Sequence, residues 1–500
     1  MTRSSLAAWL PAVLVGIGAF IAARIAMLPG LGYWDTAELQ TVAPLLGTAH
    51  PTGFPTYVLL GWVANVLLTP FGEPALRMNL FAALSVAVAA AVTVDLVRAL
   101  TRSIPLGIMA GIGLALTGIV WDIGTHADAH ALHLAFVAIL FRLLVAWEDG
   151  RRDRMLVAAA IVLGLAAGNH SLTLLLGPPI ALYVLAVDPG ILSRPRFMAG
   201  CAAAVVLSVV LVYLELPLRA GPLRTPGTLV YGRPDTWDGF WYVALAEQFR
   251  GSVVGPFDDL PGKVAALVDR TVVAFGPLAA VLPVAFGVTA IRRPAYALLS
   301  GTAVLITCFF AASYVNALIE RYYLGPVLIG WTWLAMLGGG LATLAGISVE
   351  GQRRPDRVIA TALAVLMLVP TAAATPARLD RFDRSGDVGA RLWVEHALRV
   401  MPQDAVIVSW WSYSTPLWYA QLVEGRSPDI DIIDDRTRLD RNLGDIYDVI
   451  DANLPTRPVY VIRIERDEIE GLKERYVLDV IDGTEASVLT RIIGRRESAE

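Results

Sequence analysis

Apolar stretches of about twenty residues, the length that crosses a bilayer as a helix, recur between residues 6 and 374 of this 500-residue chain. Hydrophobic residues make up 56% of the chain and charged ones 17%, against roughly half and a quarter in soluble domains. The excess is blocked into segments, so the pattern demands a lipid-facing fold. The expected spans are 6–28, 75–97, 104–121, 130–147, 155–168, 171–187, 197–218, 271–290, 295–313, 322–346 and 358–375, about eleven in all. The 155–168 segment is short and is expected to tilt or bend at Gly168. Residues 55–68 lie between two Pro-Gly-rich turns, and that length suits an interfacial or re-entrant helix. The first segment follows Arg3, carries Arg24 and lacks a small-residue cleavage site, so it is read as an uncleaved span.

Arginine sets the orientation. With a cytoplasmic N-terminus, alternate connections should be basic. They carry Arg98 and Arg102, then Arg151, Arg152 and Arg154, then Arg194 and Arg196, then Arg292 and Arg293, then Arg353, Arg354 and Arg357. The intervening connections 30–54 and 122–129 have no Lys or Arg, while the long 219–270 connection is of mixed charge. The net charge of −4 gives no sign of a nucleic-acid partner. Cys201 and Cys308 each sit inside an apolar segment, which suits small buried hydrophobes better than a disulfide framework or a metal site.

After residue 374 the composition changes. Residues 405–409 and 458–463 read as buried strands, and 416–424 and 445–452 as helices. This alternation predicts a small α/β domain over 376–500, outside the cytoplasm, following a transmembrane domain over 1–375. Within the latter, the first outer loop is 29–74 and the long outer loop 219–270.

The residues that can carry chemistry collect on the outer side. Asp35 and Glu38 are three apart in the first outer loop, so Asp35 is expected to cap a helix over 36–46 with Glu38 on the same side. Two acids at a membrane mouth are either one cap and one solvated acid, or a general base for an acceptor hydroxyl. His50 adds a donor, and Pro51, Gly53 and Pro55 stiffen the turn behind it. At the same level, His126, Asp128, His130 and His133 crowd one segment. On a helix the three histidines would share a face, either as metal ligands or as a polar helix end that packs or touches substrate. Asn169 and His170 interrupt two apolar segments; Arg219 closes one span, and Arg321 and Tyr322 open another. The arginines read as snorkelling anchors or as phosphate-binding forks.

Several motifs together resemble the GT-C superfamily of integral-membrane glycosyltransferases, in its protein O-mannosyltransferase-like branch. They are Trp34-Asp35-Thr36-Ala37-Glu38, His50-Pro51-Thr52-Gly53-Phe54-Pro55, Arg77-Met78-Asn79, Asp128-Ala-His-Ala-Leu-His133, Gly168-Asn169-His170, Leu216-Pro217-Leu218-Arg219, Tyr231-Gly232-Arg233-Pro234, Arg321-Tyr322-Tyr323, Asp404-Ala405-Val406-Ile407 and Pro416-Leu417-Trp418-Tyr419. The resemblance implies a polyprenyl-phosphate sugar donor, inversion at the sugar, and an acid of the first outer loop at the catalytic centre. By position that acid is Asp35, with Glu38 beside it. Thr52 replaces the second proline of the family's turn, and the histidines near Asp128 are additions, which weakens the metal reading.

The expectation is therefore a polytopic α-helical membrane protein with a C-terminal α/β extracytoplasmic domain, in a bacterial inner (plasma) membrane. Asp35 and Glu38 are the catalytic candidates. His50, Asp128, His130, His133, Asn169, His170, Arg219, Arg321 and Tyr322 are the substrate-binding ones. No cofactor is called for, a divalent cation being possible but not favoured. The partners are a lipid-linked sugar and a protein, glycan or lipid acceptor. The rival readings are a secondary transporter or lipid flippase, whose polar path would lie at mid-membrane, and a non-catalytic scaffold.

Overall fold

The computed structural model describes residues 3–316, 318–345, 348–349, 352–353, 356–463, 465–482 and 489–496. Every expected span falls on helix. Among the described residues, seven helices are long and apolar enough to cross a membrane, and the pair Ile104–Ala115 and Gly118–Gly124 is one further broken span, bent by 67°. The remaining segments form shorter helices, Trp9–Ile25, Asp153–Asn169 and Ser171–Val187. The bend has a local cause. The Thr117 hydroxyl bonds back to the Gly113 carbonyl (2.8 Å) and accepts the Trp331 indole N–H (3.0 Å). A Cβ on Gly113 would lie 2.5 Å from the Trp331 ring.

Helix Pro55–Leu67 has 13 residues, about 20 Å at 1.5 Å per residue, too short for a hydrocarbon layer of roughly 30 Å. Its outer face, including Leu60, Trp62, Val63, Val66 and Leu67, is exposed. Arg77 ties down the chain that follows, bonding the Gly72 carbonyl (2.6 Å) and the Asn65 side chain (3.3 Å).

The bundle centre is made by helices Pro74–Thr101, Ala129–Gly150, Ile104–Ala115 and Ile319–Leu344, whose inner faces bury Phe141, Trp147 and Trp331. Small residues bring backbones close where water offers no hydrophobic drive: a Cβ on Gly16 would stand 3.0 Å from the Ala87 carbonyl oxygen. Helix Pro195–Ala220 is peripheral, with Val206, Leu207, Val210 and Leu211 exposed to the lipid side.

The two ends differ in charge. At one end the basic connections find acids: Asp95, nearly inaccessible, meets Arg98 and Arg142, Arg293 meets Glu148 and Asp149, and Arg194 meets Asp153. The other end carries the loops expected outside, and there the C-terminal part docks.

That part is built on a five-stranded sheet in the order Asp431–Ile433, Val406–Val408, Val459–Val461, Leu489–Arg495, Tyr476–Asp482. The first three strands are parallel and the last two join antiparallel. Val406, Ile407 and Val408 are buried on both faces, as a continuous apolar run in a covered parallel sheet should be. One face packs on helices Ile446–Asn453 and Arg466–Arg475. The other shares a core with the membrane part, where Leu31, Ala37 and Ala75 meet Ala390, Trp393 and Trp418. Polar ties reinforce it: the Ala75 N–H donates to Tyr419 Oη (3.1 Å), and Arg391 pairs with Glu73 (3.0 Å) and Glu424 (2.6 Å). Helix Arg357–Phe382 runs without interruption past the end expected at 375 and through Pro376. Such a proline is tolerated where the groups it frees are satisfied otherwise.

One polar residue orders the outer end. Asn79 is fully buried on helix Pro74–Thr101. Its amide donates to the carbonyls of Leu28 (2.9 Å) and Gly30 (3.0 Å), and its oxygen accepts from Gln40 (2.8 Å) and the Ala127 N–H (2.9 Å). Gln40 in turn holds the Gly32 N–H (3.0 Å) and the Gly30 carbonyl (3.0 Å). These bonds place the loops that carry Asp35 and Asp128. Asn79→Leu should therefore cost about 3 kcal/mol, since each buried group left unpaired costs roughly 1–3 kcal/mol. A fall of several degrees in the unfolding temperature in detergent checks this; an unchanged midpoint would show that water or rearrangement replaces the lost bonds.

Candidate active site

Helix Trp34–Leu45 presents the two acids. Trp34 opens it at φ +57°, a conformation a bulky residue adopts only when its surroundings hold it there. Asp35 does not cap the helix as its spacing suggested; Tyr33 is the N-cap, with no side-chain bond, because the helix starts two residues earlier. Instead, Asp35 Oδ1 accepts the Trp411 indole N–H (3.2 Å). Glu38, a turn further in, has no solvent exposure. It accepts the backbone N–H of His50 (2.6 Å) and meets His50 Nδ1 at 2.5 Å. The turn that returns His50 depends on Gly53, at φ +80°, whose N–H bonds the His50 carbonyl (2.7 Å). A Cβ there would lie 2.9 Å from Leu216.

Electrostatics follow from burial and pairing. Burial disfavours a charged imidazole at His50, but Glu38 and then Asp35 overcome it and push His50 up to about 9. For Glu38 burial acts upward and the His50 contacts oppose it. Asp35, Glu38 and His50 each offer a ligand-type atom within 4.8 Å of the others, a group that could hold a cation. His50 Nδ1 is already against Glu38.

Asp128 is the second anchor. It stands before helix Ala129–Gly150 as N-cap, accepting the His130 N–H (2.7 Å). His126 therefore lies in the loop, and the expected three-histidine face is reduced to His130 and His133. Burial would raise the Asp128 carboxyl, but Arg321 (3.1 Å), followed by His130 (2.9 Å), holds it well below the usual carboxylate range. Around this pair lie aromatic rings. His130 is 4.6 Å from His170 and 5.9 Å from Tyr322, and Tyr322 stacks on Tyr314 at 5.6 Å, between ring centroids.

Asp35, His50, Asp128, His130, His170, Arg321 and Tyr322 line one cavity of about 120 Å³, with Ser171, Phe249, Tyr314 and Asn316. Glu38 stands behind it. His133 is turned away to Thr173 (3.1 Å), and Asn169 holds the Ala129 carbonyl (3.0 Å). Arg219 is not on the lining; it bonds the Leu223 carbonyl (3.1 Å) beyond its helix. Ser171 also lines a neighbouring apolar groove of about 630 Å³ bounded by Tyr213, Trp237, Phe240 and Trp241. Trp411 was not among the residues expected at the site. Its position just beyond a buried strand was the available signal, since ligands of parallel sheets gather at the strands' carboxyl ends.

An acid-and-arginine pocket at the mouth of a helical bundle, beside an apolar groove and at the end where a small sheet docks, belongs to a multi-pass membrane protein with the GT-C fold. Residues 35–189 match the family described as Protein O-mannosyl-transferase TMEM260 N-terminal domain. The mouse protein O-mannosyl-transferase TMEM260 is 26% identical over 447 residues, covering 81% of this chain and 59% of the mouse protein. The chain thus spans about three fifths of that relative. Two solved structures share the architecture. ArnT from Cupriavidus metallidurans bound to undecaprenyl phosphate matches with a TM-score of 0.59 and 14% identity over 98% of both chains. The archaeal oligosaccharyltransferase AglB from Archaeoglobus fulgidus, in complex with an inhibitory peptide and a dolichol-phosphate, matches with 0.54 and 13%, over 92% of this chain and 70% of AglB. The resemblance to the GT-C superfamily, O-mannosyltransferase-like branch, is borne out.

The His50–Glu38 pair sets a pH dependence. A raised histidine contributes stability that is complete below its unfolded value of roughly 6.5 and is lost as pH rises through about 9. The unfolding temperature of the wild type should fall across that window. His50→Ala removes that titration and leaves Glu38 without its partner, so the variant should be less stable than wild type below about pH 9, with the gap narrowing as pH rises through that value. Unfolding midpoints at several pH values read both effects.

Proposed function

We propose that the protein is a glycosyltransferase that moves a hexose or pentose from a polyprenyl-phosphate carrier to an acceptor hydroxyl, with inversion. The observation that carries this reading is a cavity bearing Asp35 and Arg321 that shares a wall residue, Ser171, with a neighbouring apolar groove. A lipid-linked sugar has that division: a long apolar tail, a phosphate and a polar ring. The tail lies in the Tyr213–Trp241 groove, and the phosphate faces Arg321. Asp35 takes the proton of the acceptor hydroxyl as its oxygen attacks the anomeric carbon. The bond from that carbon to the phosphate oxygen breaks, and the carrier phosphate leaves with the electron pair, its charge stabilised by the Arg321 guanidinium. Phosphate leaves readily, so no strong acid is needed. Arg219, off the cavity lining, serves as an anchor of its helix end rather than as a phosphate ligand.

The similarity to a protein O-mannosyl-transferase favours a sugar of the mannose class and a protein acceptor, with glycan and lipid hydroxyls as the alternatives. The structures of ArnT with undecaprenyl phosphate and AglB with dolichol-phosphate support a lipid-phosphate donor. In this reading residues 1–375 hold the chemistry and 376–500 help select the acceptor. The clustering of arginine-poor connections at the sheet end, opposite the arginine-rich ones, supports a site outside the cytoplasm; the membrane in this reading is a bacterial inner membrane. The same clustering tells against a transporter or flippase, whose ionisable groups would line a mid-membrane path.

The test is transfer of radiolabelled sugar from a polyprenyl-phosphate donor by the protein in detergent or vesicles. Asp35→Asn should lower the rate by about 10²–10⁴-fold, the usual weight of a general base. Full transfer by that variant would overturn the role of Asp35. Movement of the lipid-linked sugar across vesicles without need of an acceptor would favour the flippase.

A further inference from the structure

We propose that Trp411, contributed by the C-terminal sheet, is a positioning residue for the catalytic carboxylate of Asp35, so that the active site is complete only when the two parts of the chain are docked. The proposal rests on the catalytic reading of Asp35. The indole N–H donates to Asp35 Oδ1 at 3.2 Å. The same ring meets His50 edge-on at 6.1 Å and 90°, and Tyr231 of the long outer loop at 5.5 Å and 81°, between centroids. One side chain thus touches both motifs of the first outer loop and the second outer loop.

The mounting of Trp411 is stiff. It opens helix Trp411–Trp418 three residues after the end of strand Val406–Val408. The intervening Ser409 carbonyl accepts from Arg463 Nη1 (3.2 Å), and the guanidinium lies 5.7 Å from the Trp410 ring centroid. Arg463 is itself 2% exposed and fixed by Asp435 (3.1 Å) and Glu468 (2.7 Å). On its far side Trp411 packs against Trp418, 5.7 Å away. A carboxylate on a short helix at a membrane mouth can swing among rotamers. A donor held by a buried ion network selects one rotamer while Asp35 still faces the cavity. Trp411 need not touch substrate to matter; small displacements of a reacting group are enough to slow a displacement reaction.

Two replacements test this in the full-length protein. Trp411→Phe removes the donor, and benzothienylalanine at 411, which lacks the N–H but keeps the shape of indole, guards against misfolding. Both should lower kcat about 10–100-fold and leave KM for the lipid donor within about 3-fold. Trp62→Phe, on the exposed face of helix Pro55–Leu67, should stay close to wild type. In the Asp35→Asn background, Trp411→Phe should cost nothing more. Wild-type kcat for the benzothienylalanine protein, or a full further loss on top of Asp35→Asn, would overturn the positioning role. An active Asp35→Asn would instead remove the catalytic reading on which it rests.

Discussion

A single buried amide, Asn79, holds together what the outer end needs. Inside a bilayer-facing bundle there is no water to satisfy a stray carbonyl, so a loop can be placed there only if protein groups take up its backbone. Asn79 does this for both acid-bearing segments at once, through Leu28 and Gly30 on one side and Ala127 on the other. The separation of Asp35 from Asp128 is therefore set by helix Pro74–Thr101, the same helix that packs at the centre of the bundle. Membrane packing and site geometry are one construction.

The two acids then acquire different characters from their neighbours. Asp128 is locked, its charge spent on Arg321 and on capping a helix. Asp35 is half-buried, borders the cavity and has a neutral indole as its partner. Glu38 differs again, enclosed with His50, whose backbone N–H it accepts, and so helps to hold the turn.

Much of this was legible from residue order. Span lengths and arginine spacing carried the helices and their alternation, because bilayer thickness and the cost of moving cations across it act on local sequence. Strands at 405–409 and 458–463 were readable as β-branched runs, and were found at Val406–Val408 and Val459–Val461. What stayed hidden depends on contacts distant in sequence. Nothing near Asp35 announces Trp411, 376 positions away. His126 looked equivalent to His130 and His133 until Asp128 ended the helix between them. Arg219 and Arg321 were alike on paper; one lies in a helix-end turn and the other faces Asp128, a difference set by tertiary packing alone.

Helix Arg357–Phe382 leaves the bilayer and continues toward the sheet without a break, while Arg384, just beyond it, pairs with Asp122 at 2.7 Å. A helix for a stem, an ion pair at its collar and a core shared with the membrane part tie the sheet to the bundle. Its height above the membrane is then a fixed dimension, like the throat of a press. In the proposed reading, an acceptor hydroxyl is reached only when its own chain comes down to that level.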